Sequence, residues 1–136
     1  MLRIFFIFIA FLSSFLLFTL EFIIGKEILP FYGGSPATWN TCLFFYQLVL
    51  LFGYLTAHLL SKLKNTKKVL VIHILLFVLA SAMLPVSFEY QSYDHANTFA
   101  VIVSLISLLV VGAGLPFFVL SIMSPILQKY LSLIHI

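Results

Sequence analysis

The chain has 136 residues, of which 63% are hydrophobic and 8% charged, with mean hydropathy +1.22 and a formal net charge of +3. A soluble domain carries about a quarter charged residues, so this chain cannot cover a water-exposed surface and reads as an all-α, polytopic membrane protein whose first partner is the lipid bilayer. Its basic cluster, Lys62, Lys64, Lys67 and Lys68, falls in a single loop between apolar runs. That placement is a topology determinant facing anionic lipid, and nucleic acid is not a partner.

Four stretches lack Asp, Glu, Lys and Arg: residues 4–20, 28–61, 69–88 and 95–128. A bilayer core needs roughly 20 apolar residues per helix, so each stretch holds one crossing. Four transmembrane helices are predicted at about 4–24, 37–60, 69–86 and 98–121, forming one module over residues 1–130. The charges between them are sorted by sign. Arg3, the four lysines and Lys129 would share one side, while Glu27, Glu89 and Asp94 lie on the other. Cytoplasmic loops carry the Lys/Arg excess, which predicts a multi-pass protein of the cell's inner (cytoplasmic) membrane with both termini cytoplasmic.

The first span begins like a secretory signal, Met1-Leu2-Arg3 and then an apolar run. Signal h-regions run about 7–15 residues and end at a small-residue cleavage site. Here the run continues to Leu20, and Ala10 and Ser13-Ser14 do not make that site, so a retained anchor is predicted. Seven phenylalanines from Phe5 to Phe22 ring this span rather than forming one stripe. All-round apolarity of that kind means lipid on several faces.

An outer loop is predicted from residue 25 to 36, because Gly33-Gly34-Ser35-Pro36 must break a helix. Span two follows, with Trp39 in its first turn and Tyr32 just before it, where aromatic belts meet headgroups. Gly53 and Ala57 form a small-xxx-small pair that lets another helix approach closely. Span three closes on Pro85, and a polar, acidic outer loop runs from 87 to 97. In span four, Pro116 removes a backbone donor, which predicts a packing kink or a hinge.

No nucleophile elbow, phosphate-binding Gly-rich loop or His/Glu metal motif appears. Cys42 is the single cysteine, and His58, His73, His95 and His135 are scattered without ligand spacing. No metal, no cofactor and no catalytic residue is therefore expected. The candidate functional residues are polar groups inside the spans. Glu21 is the acid that lies within one, and low dielectric favours its neutral form, as a proton carrier requires. The competing reading has it reach the interface or pair with Lys26. Gln47, near the middle of span two, is expected either to bond a facing helix or to line a polar cavity. His58, near the inner end, is an interfacial anchor or a pH sensor.

Two runs are more specific. One is Gly25-Lys26, Leu29-Pro30, Gly33-Gly34-Ser35-Pro36-Ala37-Thr38-Trp39-Asn40-Thr41-Cys42, then Phe45, Gln47, Gly53-Tyr54 and Ala57-His58-Leu59-Leu60. The other is Gly114-Leu115-Pro116-Phe117-Phe118-Val119-Leu120-Ser121, then Ser124-Pro125-Ile126-Leu127-Gln128-Lys129. In order and spacing these resemble the N-terminal membrane region of spermidine-synthase-like (aminopropyltransferase-like) integral membrane proteins, over roughly residues 20–129. The resemblance implies transporter-like helices preceding a soluble catalytic domain. The helices also look like the opening of a major-facilitator transporter, except that Ala57 stands where that superfamily's loop motif places Asp.

The catalytic domain of the resembled family has no counterpart here, so no enzymatic activity is expected of this chain. Residues 131–136, Leu131-Ser132-Leu133-Ile134-His135-Ile136, match nothing expected at that point. The expectation is a truncated fragment with a non-native tail, whose partners are further helices or the soluble domain of the full-length protein, or further copies in a homo-oligomer. Two other readings stay open: a small proton-coupled four-helix exporter using Glu21, and a non-catalytic membrane scaffold subunit.

Overall fold

The computed structural model describes residues 2–62, 66–82 and 97–135, and among them every regular element is a helix. Helix α1 spans Leu2–Tyr32, α2 Pro36–Ser61, α3 Thr66–Ala82, α4 Thr98–Leu109 and α5 Leu115–His135, with a π turn, Val110–Gly114, joining the last two into one continuous rod. Three stretches, Ile4–Tyr32, Pro36–Ser61 and Thr98–Ser132, are long and apolar enough to cross a membrane, and a shorter apolar helix covers Val71–Ala82. Lys64, Glu89, Asp94, His95 and the close of the third span at Pro85 lie outside the described residues.

Helix α5 is the hub: α1, α2 and α3 each pack against it, while α1 and α2 scarcely meet except near their shared turn. Contacts along its length set the directions. Tyr32 meets Ser104, Tyr46 meets Phe117, and Lys129 Nζ donates to the Ser61 carbonyl. Helix α2 therefore runs parallel to the α4–α5 rod, and α1 antiparallel to it. His73 of α3 lies against Met123, and Phe77 and Ala80 sit beside Pro116 and Leu120, so α3 is antiparallel as well. Lys62 and Lys129 consequently occupy one end of the bundle and Lys26 and Glu27 the other.

The turn between α1 and α2 is shorter than the sequence implied. Helix α1 does not stop at Gly25 but runs to Tyr32, leaving only Gly33, Gly34 and Ser35 between helices. The reason is local. A Cβ on Gly25 would stand 3.2 Å from the Trp39 ring, so this glycine seats an aromatic rather than breaking a helix. Gly33, at φ +71°, is the actual stop, and its N–H donates to the Leu29 carbonyl at 2.9 Å, an αL cap. Ser35 then caps α2, its Oγ accepting from the Thr38 N–H at 3.2 Å, with Pro36 in the first turn where no donor is needed.

The fourth predicted span is also longer, since the helix continues beyond 121 to His135. Pro116 cannot donate to the Gly112 carbonyl. The ladder widens into the π turn just before it instead of ending. Along this rod Leu105, Leu109, Ala113, Phe117, Val119, Ser121 and Ile122 are almost fully buried. Helix α1 offers one stripe to it, Ser13, Leu17, Ile24 and Ile28, and leaves Phe5, Phe8, Phe11, Phe15, Phe18 and Phe22 exposed.

Helices α2 and α5 approach closely at Gly53. A Cβ built on Gly53 would stand 1.8 Å from Ser121 Oγ, 2.7 Å from its Cβ and 3.3 Å from its carbonyl carbon. Turning the hydroxyl away cannot relieve all three. Gly53→Ala should therefore destabilise the bundle by about 1–3 kcal/mol, the usual cost of overpacking, read as a lower midpoint in an SDS-unfolding titration. Leu55→Ala, on the exposed side of α2, should stay within about 0.5 kcal/mol. Equal midpoints for the two variants would refute the close contact.

Candidate functional site

A cavity of about 110 Å³ lies between α1, α2 and α5. Its polar wall is Ser14 and Glu21 from α1, Tyr54 from α2, and Ser121 and Ser124 from α5; Leu17, Phe18, Leu50 and Leu120 complete it. Helical spacing explains the convergence. Ser14 and Glu21 are seven residues apart, two turns on one face, and Ser121 and Ser124 are one turn apart. The Gly53–Ser121 contact lets the α2 and α5 backbones approach closely at this level.

Glu21 is half-buried in this cavity, whereas Lys26 is exposed, and among the described residues the two form no ion pair. Among the described residues no Lys, Arg or His lines the cavity. The carboxyl therefore shares the cavity with hydroxyl groups, of which those of Ser14 and Ser121 already donate to the Ala10 and Phe118 carbonyls.

The other two sequence candidates are elsewhere. Gln47 is exposed on the outer side of α2, and among the described residues its side chain bonds no facing helix. The inner face of α2 is taken by Thr38, Thr41, Cys42, Phe45, Tyr46, Gly53 and Ala57. Gln47 is rotated by about 100° from Tyr46, which is enough to remove it from that face. His58 is likewise exposed, near the basic end. His73, by contrast, turns inward to Met123.

Serine hydroxyls are poor sequence markers of a site because in apolar helices Ser and Thr usually return a bond to their own backbone. Ser13, Ser14, Thr19, Thr41 and Ser121 all do so here. The available signal was the seven-residue spacing of Ser14 and Glu21. Among the described residues no group of His, Cys, Asp and Glu could hold a metal ion. An apolar cleft of about 280 Å³ lies on the other side of α1, between Leu16, Leu20, Phe77 and Pro116. It presents no charged group.

No protein-family model matches the chain, and neither a curated protein nor a solved structure matches it. The cavity must therefore be probed directly. N,N′-dicyclohexylcarbodiimide partitions into apolar sites and reacts only with a protonated carboxyl. It should modify Glu21 in preference to the exposed Glu27, faster as the pH falls, with the adduct located by peptide mass. Equal labelling of the two glutamates, or none at Glu21, would show that the carboxyl does not sit in an apolar-walled cavity.

Proposed function

We propose that this chain is the membrane module of a spermidine-synthase-like protein: a four-span, non-catalytic, transporter-like helical unit of the inner membrane with cytoplasmic termini. The observation that carries the reading is how the two resembling blocks meet. Gly53 of the first lies against Ser121 of the second, and the Tyr46 and Phe117 rings are 5.0 Å apart. Blocks separated by more than fifty residues thus form one helix–helix interface, as a unit with a common structural role would. In this reading catalysis belongs to a soluble domain of the full-length protein.

The orientation is supported by the clustering of charge. Lys129 caps the Ser61 carbonyl beside Lys62, so the basic groups gather at one end, the one that the Lys/Arg rule makes cytoplasmic. Helix α3, at 17 residues, rises about 25 Å. The apolar residues Met83, Leu84 and Val86 follow it in sequence, enough for a fourth crossing with modest local thinning.

The Glu21 cavity favours a second reading, a small proton-coupled exporter. Its size argues against bulky substrates: about 110 Å³ cannot enclose a cation carrying four phenyl rings. Tetraphenylphosphonium is therefore expected to bind neither the wild type nor Glu21→Gln in detergent. Micromolar, pH-dependent binding by the wild type that disappears in Glu21→Gln would overturn the module and establish the exporter.

Topology has its own test. In a Cys42→Ser background, single cysteines at Ser35 and Ser92 should react with an impermeant thiol reagent applied to intact cells. Cysteines at Asn65 and Ser132 should be protected. Protection at Ser92 would reduce four crossings to three, and labelling at Asn65 would invert the orientation.

A further inference from the structure

Helix α2 carries a second face that nothing in the described chain covers. Asn40, Phe44, Gln47, Leu51, Tyr54 and His58 follow one another at spacings of four, three, four, three and four, and all six are exposed. That alternation keeps the six on one side of the helix over about five turns and matches the heptad spacing of a two-helix contact. The helix has already packed its opposite side, from Thr38 to Ala57, against the rod. Phe44 and Leu51 suit lipid, but the Asn40 and Gln47 amides and the Tyr54 hydroxyl have no partner among the described residues. Gln47 lies midway along a helix of 26 residues, where hydrocarbon offers its amide no hydrogen bond.

We propose that this seam is a self-association surface, through which α2 of one copy packs against α2 of a second about a two-fold axis along the membrane normal. The chemistry of the seam selects a second copy. Asn, Gln, Tyr and neutral His each carry both a donor and an acceptor, so each can bond its own counterpart. No residue from Asn40 to His58 carries a fixed charge that would repel its copy. The membrane sets the geometry. Copies inserted the same way round can share only an axis normal to the bilayer, so the two α2 helices are parallel and like residues meet at like depth. A heptad seam keeps such helices in contact at a left-handed crossing of about 20°. A polar residue at a seam position fixes register, and Gln47 takes that part.

Tyr54 belongs to both the seam and the wall of the Glu21 cavity. A second copy would therefore cover the cavity on its α2 side. The inference rests on the outward face of α2; in the module reading, further helices of the full-length protein would compete with a second copy for that face.

The test uses the full chain with Cys42→Ser, expressed by itself and examined in membranes. Single cysteines at Gln47 and Leu51 should form intermolecular disulfides under mild oxidation. Cysteines at Phe52 and Leu59, also exposed but on another side of α2, should do so at least tenfold less. Equal yields on both sides would mean random collision, and no disulfide at Gln47 or Leu51 would assign the seam to a different helix; either result overturns the proposal. Since these positions lie outside the packed core, the substitutions should leave folding intact. As a second measurement, donor- and acceptor-labelled copies in liposomes should show energy transfer that falls on lipid dilution. Gln47→Leu should weaken association about threefold or more, the typical strength of an interhelical side-chain bond in a bilayer. Unchanged or tighter association in Gln47→Leu would contradict the assigned pairing.

Discussion

The contact between Gly53 and Ser121 is the constraint on which the arrangement turns. Once helices are inserted, lipid tails are as apolar as leucine, so burying Ile24 or Phe117 against another helix gains little hydrophobic free energy. Dispersion contacts between close backbones and a few hydrogen bonds are what remain. A glycine facing a serine permits such an approach, and here it fixes α2 against α5 at the level of the cavity. Phe45, Tyr46 and Phe117 then fill the core above it.

The ends of the bundle are fastened by polar groups that the middle cannot afford. At one end Tyr32 and Ser104 bond at 2.7 Å, and Thr38 donates to the Tyr32 carbonyl at 3.2 Å, so the α1–α2 turn is tied to the start of the rod. At the other, Lys129 satisfies one of the carbonyls that a helix C-terminus leaves unpaired, and its charge complements the helix dipole there. Between these ends the rod yields at Val110–Gly114, where Pro116 denies a donor and the helix widens rather than stopping.

Polar side chains in the spans divide into two populations with different consequences. Ser14, Glu21, Ser121 and Ser124 converge on an internal cavity of about 110 Å³. Asn40, Gln47 and His58 point away from the chain's own core, and among the described residues their side chains have no hydrogen-bond partner. Tyr54 joins the two, which places the cavity next to the outward face of α2.

The sequence by itself determined that the chain is helical and apolar enough for a membrane, where its described helices begin to within a few residues, and that Gly53 lies at a close helix contact; it missed how far the first and last helices continue. What it determined follows from composition, from proline and glycine, or from residue size, all local properties. It could not determine which way the polar residues face. In a soluble helix an apolar stripe marks the buried side, but helices apolar all round carry no such mark. Only tertiary packing turned Glu21 inward and Gln47 and His58 outward, and let α1 run through Gly25 by laying Trp39 against it. Rotation about a helix axis is decided by what the neighbouring helix can accept, and that information lies on another helix.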